Sequence, residues 1–294
     1  MEVDATELFE SHRRLLTSVA YRLLGSVSEA EDAVQDTFLR WNKVDPAQIQ
    51  SPKSWLVKTC SRIALDTLRS VRVQRTEYIG PWLPEPFLED KQRSPRDAQQ
   101  IDESISMALL HALERLSPSE RGSFILHDVF DYSFSEVSDI LNKSPESCRK
   151  LASRARAHIQ EGKPRFSVSA SDHQHLLTGF LQAARAGEFE RLRSLLSPTV
   201  ELHSDGGGKA LAARRIVQSD ELVTKFFVRV MGRNQGSGKS LSIREQWFNG
   251  APGLIILENQ TIVTALCFAV DQDTPKVAKI FAIRNPDKLR SLVS

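Results

Sequence analysis

Residues 143–165 are rich in positive charge. They include seven basic and two acidic residues, a local net charge of +5 (seven minus two), whereas the whole chain has a formal net charge of only +2. The apolar residues of this segment recur at helical spacing, so its cations are predicted to lie on a different face of one helix. A basic helix that follows a capped helix and a tight turn is typical of DNA recognition, in which cations contact phosphates. A solvated basic helix without a partner is the alternative.

Three residues with carboxylate or imidazole side chains, Glu201, His203 and Asp205, alternate along a predicted strand. Alternate residues of a strand share one face, so these side chains could perform general acid–base chemistry in a pocket. They could equally lie on a solvated face of a sheet. Because the sequence shows no network that would orient them, we predict no catalytic residue.

Two glycine-rich stretches could contact phosphates. The DGGGK sequence at residues 205–209 follows the predicted strand, and its glycines permit either a tight turn or a close approach to a partner. Both interpretations remain open. The GSGKS sequence at residues 236–240 ends like a P-loop, but Arg233 stands where that motif requires glycine, and a strand pattern follows. We therefore predict no P-loop.

Composition limits the remaining classes of function. The three cysteines lie far apart and form no CxxC pair, which argues against a disulfide framework or a structural zinc site. We accordingly expect no metal and no cofactor. The first ten residues are acidic and lack an apolar run, and no stretch approaches the roughly 18 apolar residues that span a bilayer. These features predict a cytoplasmic protein without a membrane segment.

The first half of the chain is predicted to be helical, with one interruption. Residues 7–72 follow a helical period, and Ser28 with Glu31 is predicted to form a capping box. Residues 73–100 are rich in proline and are predicted to be an extended linker, although Trp82 and Phe87 suggest that it docks onto something. Residues 101–163 return to helices, with caps predicted at Ser117, Ser133 and Ser144 and a turn at residues 142–143.

The last 125 or so residues mix helices and strands and have the size of a domain. Helices are predicted over residues 172–186, 188–196 and 219–231. Strands are predicted over residues 241–248, 254–258, 262–270 and 277–284. Helices followed by an antiparallel meander indicate an α+β domain.

Three segments resemble the extracytoplasmic-function branch of the sigma-70 family. EAEDAVQDTFLRW at residues 29–41 resembles the helix that docks on the clamp of core RNA polymerase, SWLVKTCSRIALDTLRS at 54–70 resembles the helix that handles the −10 promoter element, and residues 116–159 resemble the region that reads the −35 element. The resemblance implies polymerase contacts by Asp32, Gln35, Asp36, Phe38 and Leu39. It implies −10 contacts by Trp55, Lys58, Arg62 and Arg69, although the wider family commonly has Asn where this chain has Arg62. It implies −35 contacts by Ser144, Ser147, Arg149, Lys150, Ser153 and Arg154.

Three further motifs resemble the subgroup of these sigma factors that carries a fused SnoaL-like extension. They are PWLPEP at residues 81–86, DGGGK at 205–209 and NPDKL at 285–289. The resemblance implies an NTF2-like cone for residues 171–294 that acts in place of a separate membrane anti-sigma factor. The regulatory residues it implies are Trp82, Leu83, Pro84, Glu85, Pro86, Asp205, Gly206, Gly207, Gly208, Lys209, Asn285, Pro286, Asp287, Lys288 and Leu289.

The predicted protein is thus a multidomain sigma factor with two all-α domains and an α+β extension. The domains are predicted at residues 1–72, 73–104 (the linker), 105–163 and 171–294. The expected partners are promoter DNA and the clamp and flap of core RNA polymerase, and the sequence leaves open a small molecule or a protein at the extension. Two alternatives remain: an isomerase-like or cyclase-like enzyme in the extension, and a ligand-sensing helix-turn-helix repressor that needs no polymerase.

Overall fold

The computed structural model describes residues 5–45, 48–75, 77–88, 105–160, 170–235, 240–271 and 274–292. The chain forms two compact units, Met1–Glu77 with Ala112–Gly162, and Tyr78–His111 with Lys163–Ser294. The predicted domain bounds were drawn from sequence motifs, whereas these units are defined by packing. The predicted bounds therefore remain a prediction. Several predicted features lie wholly or partly outside the described residues, namely the basic residues 163 and 165, most of the GSGKS sequence and linker residues 89–104.

Three long helices form the amino-terminal part of the first unit. They are α1 (Ala5–Leu24), α2 (Val27–Trp41) and α3 (Pro52–Arg75). Their apolar stripes bury Leu16, Leu23 and Leu56 completely. The predicted cap at Ser28 is wrong. Gly25 ends α1 with a φ of 71°, so the extended Ser26 caps α2 and accepts a hydrogen bond from the backbone N–H of Glu29.

Four shorter helices follow, and their caps agree with the sequence. They are α4 (Met107–Leu113), α5 (Pro118–Phe124), which continues as a π-helical turn over Ile125–Val129, α6 (Phe134–Leu141) and α7 (Pro145–Gln160). Ser117 and Ser133 both form complete capping boxes, and the Ser144 hydroxyl accepts from the N–H of Ser147. Asn142 has a left-handed conformation that ends α6 and turns the chain into α7. The predicted helix-turn-helix is therefore present.

A six-stranded sheet forms the centre of the second unit. The strands are β1 (Leu196–Asp205), β2 (Val217–Gln218), β3 (Leu241–Phe248), β4 (Ala251–Glu258), β5 (Thr261–Val270) and β6 (Val277–Ile283), in the order β2-β1-β6-β5-β4-β3. Strands β3 to β6 are the predicted antiparallel meander, while β1 pairs with β6 in parallel. The helices α8 (Ala170–Ala186), α9 (Phe189–Ser194) and α10 (Asp220–Gln235) complete the predicted α+β fold.

Each face of this sheet covers its own hydrophobic core. On one face, residues such as Leu202 and Phe268 pack against Phe180 of α8 and Phe227 of α10. On the other face, Phe281 belongs to a core with Leu83, the amino-terminal part of α4 and a 3₁₀ helix over Pro286–Leu292. The sheet thus fixes the PWLPEP motif and the NPDKL motif on the same side.

Acid should destabilise the second unit through His173 of α8. This residue is buried, and desolvation lowers the pKa of its imidazole to about 4 from 6.5. The unfolded chain therefore binds a proton that the folded chain excludes between these pH values, so stability should fall by up to about 3 kcal/mol as the pH drops from 6.5 to 4. Thermal melts from pH 7 to pH 4 will measure this slope, and His173→Phe should flatten it. An unchanged slope in that variant would contradict the assignment to His173.

Candidate nucleic-acid and regulatory sites

The basic helix α7 presents the cations on one exposed face. Cys148, Ala152 and Ala155 are completely buried, which is the core-facing stripe that the sequence predicts. Lys150 forms an ion pair with Glu146 at 2.8 Å. Arg154 pairs with Glu120, the buried residue of the α5 capping box, at 3.2 Å. The residues predicted to read −35 lie together: Ser144, Arg149, Lys150, Ser153 and Arg154 are exposed and Ser147 is half-buried.

The polar stripe predicted on α2 is also exposed. Asp32, Gln35, Asp36 and Leu39 face solvent, and Leu39 is a large apolar side chain that is 51% exposed. Phe38 is half-buried, and its ring packs against Phe9 at 4.9 Å between centroids. An acidic stripe with one exposed leucine can bind a basic surface that has an apolar centre.

The predicted −10 residues of α3 do not all point to solvent. Trp55 is half-buried against Trp41, with ring centroids 5.5 Å apart, and Lys58 is half-buried too. Arg69 is exposed and pairs with Asp66. Arg62 is exposed, but its guanidinium donates to the backbone carbonyls of Asp139 at 2.5 Å and Ile140 at 3.1 Å. These carbonyls lie in the last turn of α6, where a cation complements the helix dipole.

A buried charge cluster joins the long amino-terminal helices of the first unit to its shorter helices. Glu114 forms ion pairs with two arginines. One is Arg121, which is 1% exposed, and the other is Arg75, whose Nη1 lies 2.6 Å from the Glu114 carboxylate. Arg75 also contacts Glu29 of α2 at 3.3 Å. Burial alone would raise the pKa of the Glu114 carboxyl, but the two guanidinium groups hold it below its usual value. The cluster therefore remains ionised and links α2 and α3 with α5.

Asp205 at the end of β1 is the centre of the second unit's polar network. Its carboxylate is completely buried and accepts hydrogen bonds from the Tyr78 hydroxyl at 2.6 Å, from the Leu83 N–H at 2.9 Å and from the Gly207 N–H at 3.0 Å. The Lys288 ammonium lies 2.7 Å from the same carboxylate. The same ammonium also lies 3.9 Å from the centroid of the Trp82 ring. We call Tyr78, Trp82, Asp205, Asn285 and Lys288 the Asp205 hub.

The Asp205 hub brings all three motifs of the predicted regulatory set together. Asn285 donates to the Tyr78 hydroxyl at 2.9 Å, and Lys209 pairs with Asp287. Gly207 has a φ of 57°, and a Cβ at this position would collide with the Asn285 amide. DGGGK is therefore a contact loop and not only a tight turn.

The PWLPEP segment docks along the second unit. Leu83 and Glu85 are buried, as are Pro84 and Pro86, and the backbones of Phe87 and Leu88 meet the turn between β3 and β4. There the Phe87 N–H donates to the Asn249 side chain at 3.1 Å. Leu83 also belongs to a hydrophobic core of the second unit, so the segment packs there through an apolar side chain as well.

The two residues that could perform acid–base chemistry, Glu201 and His203, are hydrogen-bonded to each other. His203 is 3% exposed and shares a 2.9 Å hydrogen bond with Glu201, while its ring packs against those of His111 and Phe281, which also contact each other. Burial lowers the pKa of His203 although Glu201 opposes this shift, so the imidazole is neutral at pH 7. Asp205 does not join this pair, because its own carboxylate is occupied by the hub.

Sequence reasoning missed several residues of these sites. Tyr78 lies 127 positions before its partner Asp205, and Asn249 lies 162 positions after Phe87. The cluster of Glu114 with Arg75 and Arg121 was missed as well. The sequence did hold a signal for Arg121 and Glu114. Each is an ionisable residue at a position of the helical period that is otherwise apolar, which indicates a buried charge.

Family models match both parts of the helical unit. Residues 8–73 match Sigma-70 region 2, and residues 106–159 match Sigma-70 region 4. No described helix is long and apolar enough to cross a membrane, and no three His, Cys, Asp or Glu side chains of the described residues are grouped to hold a metal ion. The two matched regions define a protein of the sigma-70 class.

Comparisons with whole proteins narrow this class. The ECF RNA polymerase sigma factor SigJ of Mycobacterium tuberculosis is 36% identical over 95% of this chain and 91% of that protein. The probable ECF sigma factor SigI of the same species is 27% identical over 97% of the chain and 94% of that protein. The crystal structure of SigJ superposes with a TM-score of 0.74 at 31% identity, covering 96% of this chain and 97% of that one. The chain belongs to the ECF RNA polymerase sigma factors, which makes it a transcription-initiation factor.

Proposed function

We propose that the chain directs core RNA polymerase to promoters whose −35 element is read by the exposed face of α7. The observation that carries this proposal is the set of predicted −35 residues on one exposed face that begins at the capped start of α7. The amino-terminal part of such a helix enters the major groove, and cations farther along bind phosphates. The exposed stripe of α2 supplies the surface for the polymerase clamp. This activity takes place in the cytoplasm, where a bacterial polymerase meets its promoters.

The first unit must open before both promoter elements are bound. The two elements lie about 25 base pairs apart, or about 85 Å along B-form DNA at 3.4 Å per base pair. Yet α3, which carries the −10 residues, is hydrogen-bonded to α6, which precedes the −35 helix. Arg62 uses its Nε–H and one Nη2–H on α6, so it must leave α6 before it can present that edge of its guanidinium to a promoter base. The compact first unit is therefore the free form of the factor, and polymerase separates its two halves.

The second unit acts as a regulator in cis. In sequence, residues 78–88 lie between region 2 and region 4, and the Asp205 hub fixes this segment on the second unit. Fixing it shortens the chain that is free to span the two regions, so docking sets the distance that they can reach. Loss of the hub should therefore alter promoter-dependent output.

We also propose that the second unit has no enzymatic activity. Asp205 is completely buried and holds four hydrogen-bonding partners, and His203 is neutral, buried and packed against two rings. A general base must reach the proton that it abstracts, and these groups have no such access. If a purified second-unit variant His203→Ala lost a measurable turnover that wild type had, this proposal would fail.

Replacing Arg149 with alanine should weaken transcription from the factor's own promoter. The side chain is exposed on the predicted DNA face, so the change should cost roughly 1–3 kcal/mol of promoter binding without altering the fold. Run-off transcription with purified core polymerase will measure it. The matched control is Lys225→Ala on α10, an exposed cation outside the helix-turn-helix.

The same assay tests the sigma assignment itself. Without core polymerase, the chain should not protect promoter DNA, whereas a repressor would bind the duplex alone. Equal output from the Arg149→Ala variant and wild type at limiting polymerase would contradict the role of α7 in −35 recognition.

A further inference from the structure

Phe134, the first residue of α6, contacts two side chains of the helix-turn-helix region. The His127 ring stacks on the Phe134 ring, with centroids 3.8 Å apart and an angle of 30° between the planes. The guanidinium carbon of Arg149 in α7 also lies over the Phe134 ring, 5.6 Å from its centroid. A cation over an aromatic face is attracted by the ring quadrupole. We call His127, Phe134 and Arg149 the Phe134 stack.

The local backbone fixes the two rings of this stack. The His127 Nδ1–H donates to the Tyr132 carbonyl at 2.8 Å, since a carbonyl can only accept. Asp131 has a left-handed conformation, with a φ of 56°, in the turn that leads into α6. Ser133 then caps α6 with a complete capping box, which holds Phe134 in the first turn of that helix. The two rings therefore form a platform whose position is set by short-range contacts.

Arg149 differs from the other cations of α7 in the kind of partner that it has. The other three Lys and Arg residues of this helix each pair with a carboxylate: Lys150 with Glu146, Arg154 with Glu120 and Arg156 with Asp128. Arg149 pairs with no carboxylate of the described residues and lies over the Phe134 ring instead. A ring contact uses none of the five guanidinium N–H groups as a hydrogen-bond donor. Arg149 can therefore bind DNA without first giving up an ion pair.

The contact with the ring also reduces the cost of binding. Ordering a long side chain on association costs free energy, and the Phe134 ring already restricts Arg149 before DNA arrives. Arg149 is the fifth residue of α7 and lies near the capped start of the helix, which is the part that enters the major groove. There an arginine binds the O6 and N7 atoms of guanine with two N–H donors, so the orientation of its guanidinium decides the contact.

We propose that Phe134, supported by His127, is a positioning residue that holds Arg149 for a guanine of the −35 element. Phe134 acts through Arg149 and needs no contact of its own with DNA. This role rests on the reading of the −35 element by α7 that is proposed above.

Selection of promoters by the holoenzyme tests this role. Core RNA polymerase with the full chain is given a pool of duplex promoters whose −35 and −10 elements are randomised, and sequencing of the bound DNA gives the base preference at each position. Arg149→Ala should abolish a preference for guanine of roughly tenfold at one −35 position. Phe134→Leu should reduce the preference at that position by about two- to fivefold, the size of an exposed cation–π contact. Phe134→Tyr keeps the aromatic face and should retain the preference.

Phe130→Leu is the matched control. Phe130 is half-buried like Phe134 and also lies under a cation, but that cation is Arg22 of α1, 5.4 Å from the ring centroid. The guanine preference should therefore be unchanged in this variant. The double variant Phe134→Leu/Arg149→Ala should lose no more of the preference than Arg149→Ala alone, because Phe134 acts only through Arg149.

The outcomes separate this role from the function on which it rests. A full guanine preference in Phe134→Leu would overturn the positioning role and leave the reading of −35 by α7 intact. An equal loss at every position in Arg149→Ala would assign that residue to a phosphate and would overturn the role as well. A wild-type holoenzyme without any preference in the −35 element would contradict the proposed function itself. If thermal melts show that Phe134→Leu is unfolded, His127→Leu decides: it should weaken the same preference, and an unchanged preference would overturn the role.

Discussion

Replacing Asp205 with alanine should destabilise the second unit by about 3–5 kcal/mol, because it leaves the buried Lys288 ammonium without its carboxylate. The Tyr78 hydroxyl and the Leu83 N–H lose their acceptor in the same step. Burial, the largest cause of the raised pKa of the Tyr78 phenol, remains in the variant, so this group stays protonated and cannot replace the missing charge. Differential scanning calorimetry of wild type and variant will measure the loss.

The chain provides a matched control for this variant. Asp287 also pairs with a lysine and an arginine, but its side chain is 39% exposed, so Asp287→Ala should cost less than about 1 kcal/mol. The double variant Asp205→Leu/Lys288→Met should be more stable than the sum of its single changes predicts, because it removes both buried charges together. A loss of similar size for Asp205→Ala and Asp287→Ala would contradict the central position of Asp205.

The Asp205→Ala variant also tests regulation in cis. At a temperature where it is still folded, the variant releases residues 78–88 from the second unit and so lengthens the chain that is free to span the two regions. Run-off output at its own promoter should therefore rise. Trp82→Ala should act in the same direction, because Trp82 packs on the same ammonium. Output equal to wild type in both variants, at every ratio of factor to polymerase, would contradict the proposed regulation in cis.

Local signals in the sequence predicted the parts of this protein that depend on local interactions. Ser117 and Ser133 each precede a glutamate by three positions, and both form the capping boxes that this spacing predicts. The strand β3 was predicted with its observed bounds, Leu241–Phe248. Ser28 failed as a cap because Ser26 stands two positions earlier, directly after the glycine that ends α1.

Contacts between distant residues could not be predicted from such signals. Arg75 meets Glu114 across 39 positions, and Lys288 meets Asp205 across 83. Both pairs are selected by the tertiary fold and not by the helical or strand period. The motifs marked Asp205 and Lys288 as important, but only the structure shows that the two side chains share one buried ion pair.

Cross-linking α3 to α6 should reduce promoter-specific transcription to background. Arg62→Cys and Asp139→Cys place one thiol on each side of the observed contact, and a flexible bismaleimide can join them. The native cysteines will not compete, because all three are buried and burial raises the pKa of Cys60 and Cys267 to about 12. A cross-linked first unit cannot extend over the roughly 85 Å between the promoter elements.

The unlinked double variant is the control, since it lacks Arg62 just as the cross-linked protein does. Any difference between the two therefore reports opening and not the loss of a −10 contact. A cleavable linker should restore output when it is cut, which excludes damage by the reagent. If the intact cross-linked protein transcribes as well as its unlinked control, the closed first unit is compatible with promoter recognition and the requirement for opening is wrong. Because Arg62 donates to backbone carbonyls, which no substitution in α6 removes, the covalent lock tests the contact more directly than further point variants would.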